Sequence, residues 1–251
     1  MQTIAEGLKG LLFPRARCLS CNEPRKIDLG DSLCDECIIE LDKLKLVDYL
    51  CAHCLSPKHH ADACAYCAQG GMVGLAAAYS PYRYHSVSQR LIVRLKFDGI
   101  YQAAEPLIEG MLSSFPGRPI DLMVPVPLHK SNYKKRGFNQ SELLCRLLSA
   151  QTGLPYQNAL SKTIKTKRQS TLSHEKRQDN IKGAFAAEMS VDKLRILLVD
   201  DVRTSGSTAR ACAQALLKAG AKEVSLLTAT VAGTTPESPP VQSYWPDGRR
   251  P

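Results

Sequence analysis

Long apolar runs are missing from this chain. No stretch approaches the roughly 18 consecutive apolar residues of a membrane-spanning helix, so no membrane insertion is expected. Residues 1–13 offer neither a long apolar core nor a small-residue cleavage site, so no secretory signal is read there and a cytoplasmic protein is expected. Aromatic residues are few, 6% of 251 with a single tryptophan, which leaves little obvious material for stacking on bases. The dinucleotide fingerprint G-x-G-x-x-G and the lysine of a phosphate-binding Walker loop are both absent. Low-complexity tracts are absent too, and 44% hydrophobic residues suit a globular chain with a real core.

Acidic residues are the minority, 24 against 33 Lys and Arg, and the excess is localised. Residues 1–70 hold 8 basic and 10 acidic side chains, whereas residues 129–182 hold 12 and 3. An anionic partner is therefore sought at 129–182. Cysteine is as uneven: eight of ten lie in four C-x-x-C pairs, Cys18/Cys21, Cys34/Cys37, Cys51/Cys54 and Cys64/Cys67. Each pair turns the backbone so that two sulfurs aim at one point, and two turns complete a tetrahedral thiolate site. Four pairs make two structural Zn²⁺ sites. The rival, a disulfide framework, does not suit thiols kept reduced in a cytosol. The sequential pairing, first with second and third with fourth, is preferred to an interleaved one, with a helix at 38–50 separating two ribbons. His53, His59 and His60 are read as ribbon surface, since the thiolate count is complete without them.

The expected organisation is a double zinc ribbon at 15–70, an α/β domain at 71–232 and a Pro-rich, disordered tail at 233–251 that contains Trp245. In the α/β part, strands are expected at 72–79, 121–128, 195–199 and 223–231. Helices are expected at 86–97, 103–113, 141–152 and 207–219. This alternation implies a parallel sheet covered on both faces. Residues 161–182 are polar, basic and aperiodic, too long for an ordinary connection. Cys145 and Cys212 fall on helices and read as core.

The chemistry concentrates in L-L-V-D-D-V-R-T-S-G-S-T at 197–208. A buried strand ends in Asp200 and Asp201, and a hydroxyl-rich loop, Thr204, Ser205, Gly206, Ser207 and Thr208, opens onto a helix. Ligands of parallel α/β sheets sit at the carboxyl ends of the strands. The helix start presents free N–H groups to a phosphate, and Gly206 permits close approach. Two carboxylates beside that cradle suit vicinal hydroxyls, so the pair spells a ribose 5-phosphate.

This segment resembles the phosphoribosyl-pyrophosphate (PRPP) signature of type I phosphoribosyltransferases, with Ser205 where threonine is commoner. Further pieces stand in order: L-K-F-D-G (95–99), V-P-V-P (124–127), R-G-F-N-Q-S (136–141) and T-x-x-Q-x-x-L-S (166–173). With the cysteine pairs, they resemble the ComF family, associated with natural transformation and DNA use. The resemblance implies a phosphoribosyltransferase-type domain in which Asp200 and Asp201 hold the ribose hydroxyls and residues 204–208 hold the 5-phosphate. It implies that pyrophosphate, bound with Mg²⁺, meets Val126 and Pro127, with Lys96, Arg136 and Gly137 contributing. It also places 161–182, with Lys162 and Arg177, as a mobile loop closing over PRPP.

Two functions follow as expectations. One is a PRPP-binding competence protein that handles incoming single-stranded DNA, with Lys134, Lys135 and Arg136 as the DNA candidates. Aromatics for base stacking are few: Tyr133 and Phe138 lie within the basic region, the latter expected to pack. On resemblance alone, the helicase-like component of the DNA-uptake machinery is a partner. The alternative is an active phosphoribosyltransferase that moves ribose 5-phosphate to a metabolic acceptor unrelated to DNA.

Overall fold

The computed structural model describes residues 17–24, 32–46, 51, 53–55, 64, 67, 72–163 and 183–232. In chain order they form α1 (Asp35–Asp42), β1 (Ala78–Tyr79), β2 (Tyr82–Arg83), α2 (Ser86–Val93), α3 (Glu105–Ser113), β3 (Leu122–Pro125) and α4 (Lys130–Arg136). There follow α5 (Gln140–Thr152), β4 (Leu160–Lys162), β5 (Phe185–Ala187), β6 (Arg195–Arg203), α6 (Ser207–Lys218) and β7 (Glu223–Val231). The main sheet is parallel throughout, in the order β1-β7-β6-β3, with β2 also on β7. β4 and β5 make a separate antiparallel pair.

The near-continuous apolar runs of β6 and β7 are explained by burial on both faces. Leu197, Val199, Leu227 and Ala229 point into one core with Leu91, Leu107 and Leu144 of the helices. Their neighbours Ile196, Leu198, Val224 and Leu226 point into the other, against Cys212, Ala213 and Leu216 of α6. The expected parallel α/β architecture is therefore present, and Cys145 and Cys212 are core residues.

Several elements differ in extent. The expected strand at 72–79 is reduced to its last two residues. Gly74 turns the chain at φ +87, and after Pro81, which has no N–H to give a ladder, pairing resumes as β2. The helix expected at 86–97 is α2 followed by a π-helical turn, Arg94–Asp98, closed by left-handed Gly99 as the sequence suggested. Helix α4 was hidden by its charge: no residue in it is buried, so no apolar periodicity marks it. His129 caps it by accepting the Ser131 N–H. β6 runs four residues beyond Val199, so the acid pair belongs to the strand itself.

Helix α1 is not the spacer expected at 38–50. It starts immediately after Cys34 and carries Cys37, so it walls the first cysteine cluster. The cysteines also join the two cores rather than a core of their own: Cys18, Cys34 and Cys37 lie in the first, and Cys51, Cys54 and Cys64 in the second. Arg90 of α2 reaches across to Ser20 Oγ (2.8 Å) and Glu40 (3.1 Å), while the Ser86 hydroxyl donates to Glu40. The Ser86 hydroxyl, and after it Arg90, hold the Glu40 carboxyl below its usual range. Among the described residues no helix is long and apolar enough to cross a membrane. Arg177, His59, His60 and the tail at 233–251 with Trp245 lie outside the described residues.

Candidate functional site

Two four-cysteine clusters form, Cys18/Cys21/Cys34/Cys37 and Cys51/Cys54/Cys64/Cys67, with all ligand atoms of each within 4.8 Å of one another. This is the sequential pairing. Measured separations are 3.8 Å for Cys21–Cys34, 3.8 Å for Cys51–Cys67 and 3.4 Å for Cys54–Cys64. Tetrahedral Zn–S bonds of about 2.3 Å place sulfurs roughly 3.8 Å apart, so the donor sets fit zinc. In each cluster burial works against ionisation. For Cys18 and Cys51, however, backbone N–H groups outweigh burial and lower the thiol to about 7. Cys34, with fewer such donors, is pushed up to about 12. His53 is turned away, its Nδ1 3.0 Å from the Ala76 carbonyl.

The second centre lies where β3 ends, with Pro125 opposite Val199, and β6 continues past it to Arg203. Asp201 is 3% exposed, and its Oδ2 lies 2.6 Å from Lys96 Nζ. Asp200 Oδ1 accepts from the Ser141 hydroxyl (2.9 Å) and from the Asp201 N–H (2.9 Å). Burial, and after it the charge of Asp201, push the Asp200 carboxyl up to about 7, against the pull of Lys96. The loop follows directly: Gly206 is left-handed at φ +69 and caps α6, and Ser205 Oγ meets Ser207 Oγ at 2.9 Å. Together Asp200, Arg203, Thr204, Gly206, Ser207, Thr208 and Thr228 line a cavity of about 70 Å³. Thr228 is buried opposite Asp200, and its hydroxyl has no hydrogen-bond partner among the described residues. A small polar ligand with acceptor oxygens suits such a cavity.

The other expected residues divide. Val126 continues from β3 by donating its N–H to Val199 (2.9 Å), so Val126 and Pro127 reach the same strand end. The Asn139 side chain donates to the Val126 carbonyl (3.1 Å), tying that loop to the start of α5. Lys162 Nζ sits 5.2 Å over the Phe185 ring. Burial lowers its ammonium's pKa, while Cys212 and Asp200 counteract that shift. Lys96 is engaged by Asp201 rather than held open. Arg136 bonds Gln140 (3.0 Å) and lies 5.2 Å over the Phe97 ring, next to left-handed Gly137. Lys134 and Lys135 are exposed on α4.

Sequence reasoning missed Ser141, Asn139 and Arg203. R-G-F-N-Q-S contains the first two, and the fold makes that block a bracket between Val126 and Asp200. Arg203, two residues past the acid pair and 6% exposed, was available as a buried charge at a strand end.

Competence protein F of Haemophilus influenzae is 30% identical over 227 residues, covering 84% of this chain and 95% of that protein. The chain belongs to the ComF family. Competence protein ComFC of Streptococcus pneumoniae is 25% identical over 227 residues, covering 83% and 96%. The DNA utilization protein YhgH of Escherichia coli K12 is 42% identical over 105 residues, covering 41% of this chain and 46% of that protein. The chain thus spans about half the length of the YhgH proteins it matches. No family model matches. Among solved structures, the glutamine PRPP amidotransferase of Bacillus subtilis is 23% identical, covering 51% of this chain and 26% of that one at a TM-score of 0.37. That likeness is too slight to bear on fold or chemistry. Within this ComF-family chain the four C-x-x-C pairs close into two clusters, and Asp200 lines one cavity with Thr204, Gly206, Ser207 and Thr208 while its neighbour Asp201 is paired with Lys96.

Proposed function

We propose that this ComF-family protein binds PRPP with Mg²⁺ and handles incoming single-stranded DNA in the cytoplasm during natural transformation. The observation that supports the PRPP reading is the cavity at the end of β6, lined by Asp200 and by Thr204, Ser207 and Thr208 around Gly206. Ribose hydroxyls donate to Asp200 and Asp201. The 5-phosphate takes the N–H groups at the start of α6 and the side chains of Thr204, Ser205, Ser207 and Thr208. Pyrophosphate with its Mg²⁺ extends toward Val126, Pro127 and Lys162, and Arg177 is a further candidate cation for it. Both cysteine clusters hold structural zinc, since complete thiolate sets leave no open coordination position. The DNA reading is supported by the relatives' names and by Lys134, Lys135 and Arg136 on α4. A helicase-like component of the uptake machinery is its expected partner.

Calorimetric titration of PRPP with Mg²⁺ into zinc-loaded protein tests the first reading. Saturable heat is expected in wild type and none in Asp200→Asn/Asp201→Asn with both zincs retained. Silence in wild type would overturn PRPP binding and leave DNA handling as the function. An acceptor that accelerates pyrophosphate release from PRPP would instead favour an active transferase.

A further inference from the structure

A groove of about 330 Å³ opens along α5, lined by Tyr101, Tyr133, Phe138, Asn139, Glu142, Leu143, Arg146 and Tyr156. Its volume is at the small end of the range for ligand sites. Its aromatic residues come from separate parts of the chain. Tyr101 stands on the 3₁₀ turn before α3, Tyr133 on α4, Phe138 between α4 and α5, and Tyr156 on a short bridge along the free edge of β3. Tyr101 is 51% exposed and Tyr133 48%. Tyr101 and Phe138 meet edge to face, centroids 4.8 Å apart, which steadies one wall. Large rings left half in water on one face, in a chain so poor in aromatics, mark an interaction surface.

Charge complementarity decides the occupant. Exposed Arg146 lines the groove, and exposed Lys134 and Lys135 follow Tyr133 on α4 with Arg136 after them, against Glu142, whose Oε1 already accepts from Asn158 (2.9 Å). Rings that offer their faces, within a cationic border, match an unpaired strand, whose bases are flat and whose phosphates are anionic. Duplex DNA, with its bases already stacked, gains nothing from such rings.

We propose that this groove is the base-stacking site for single-stranded nucleic acid, with Tyr101 and Tyr133 as its principal platforms and Arg146 and the α4 lysines on the phosphates. The proposal rests on the DNA-handling reading and adds where the bases go. Helix α5 joins the groove to the acid pair, since Ser141 contacts Asp200 while Glu142 lines the groove.

The test compares a fluorescein-labelled dT12 strand with an abasic deoxyribose-phosphate strand of equal length, by anisotropy on the zinc-loaded full chain. dT12 is expected to bind about tenfold or more tightly than the abasic strand. Tyr101→Leu/Tyr133→Leu, with zinc content and melting unchanged, is expected to lower dT12 affinity about tenfold and leave the abasic strand unaffected. Lys134→Ala/Lys135→Ala is expected to weaken both strands alike and reduce the salt dependence. Equal affinity for both strands, or a base preference that survives the tyrosine substitutions, overturns the groove while the DNA reading stands. Failure of both strands to bind overturns both. Thymidine monophosphate competing with dT12 at equimolar concentration would assign the groove to a free nucleotide and overturn the strand proposal.

Discussion

Lys96→Met keeps the length and apolar stem of the side chain and deletes its charge. The Asp201 side chain is 5% exposed and that of Lys96 19%, with 2.6 Å between Nζ and Oδ2. Removing one partner of a buried pair leaves the other charge uncompensated, which costs about 3–5 kcal/mol. Water reaches the lysine end, so the lower bound applies, about 3 kcal/mol. For a chain of this size that corresponds to a Tm lower by roughly 6–12 °C in zinc-saturating buffer. The cost belongs to the orphaned carboxylate, so Asp201→Asn in the Lys96→Met background should restore about 2 kcal/mol despite being a second change in the same site. Lys96 also restrains the upward shift of Asp200, so Lys96→Met should raise the Asp200 pKa further, read by carboxyl-carbon NMR titration. A single variant melting within about 2 °C of wild type, or a double variant no more stable than the single, would refute the reasoning.

Elemental analysis is expected to find two zincs per chain, unchanged in Cys145→Ala and halved in Cys18→Ser. Because the clusters sit in opposite cores, chelation should loosen both faces of the sheet, seen as lost amide protection in β6 and β7. Asp200 has a folded-state pKa of about 7, above the unfolded value of about 3.9. Its contribution to stability is therefore full below about pH 4 and is lost as pH rises through about 7. Urea unfolding at several pH values should show that decline in wild type and a flatter profile in Asp200→Asn; an identical slope would sink the assignment. Gly110→Ala would drive a methyl group into the buried Tyr82 ring, destabilising by about 1–3 kcal/mol, and unchanged melting would contradict the packing. Burial pushes the thiols of Cys145 and Cys212 well above their usual range, so iodoacetamide should label neither before unfolding.

Features local in the chain were legible without coordinates. A C-x-x-C turn brings two sulfurs together by backbone geometry alone, and the metal's need for four ligands does the rest. The run from Leu197 to Thr208 likewise carries its own geometry: an apolar strand, two acids, a glycine turn and a helix start. The strand at 223–231 was readable because burial on both faces leaves an unbroken apolar run. By contrast, the helix of 130–136 had no apolar stripe to reveal it. The strand expected at 72–79 shrank to its last two residues because Gly74 turns the chain within a composition that otherwise suits pairing.

Tertiary structure alone decided which distant groups meet. Lys96 was expected to face an anionic ligand, and the π turn of 94–98 aims it at Asp201 instead. Ser141 carries no sign in the sequence that it will bond Asp200, because that contact depends on how α5 seats against β6. Tyr101, Tyr133, Phe138 and Tyr156 are unremarkable one by one and become a groove when their separate elements pack beside α5. The sequence by itself determined the cysteine pairs, the parallel sheet and the hydroxyl-rich loop at a helix start, since a turn's few dihedrals and a strand's period of two are set by neighbouring residues. The neutralisation of the acid pair, the seating of the cysteine clusters in two cores and the stacking surface required the fold, because each depends on the register between elements far apart in the chain.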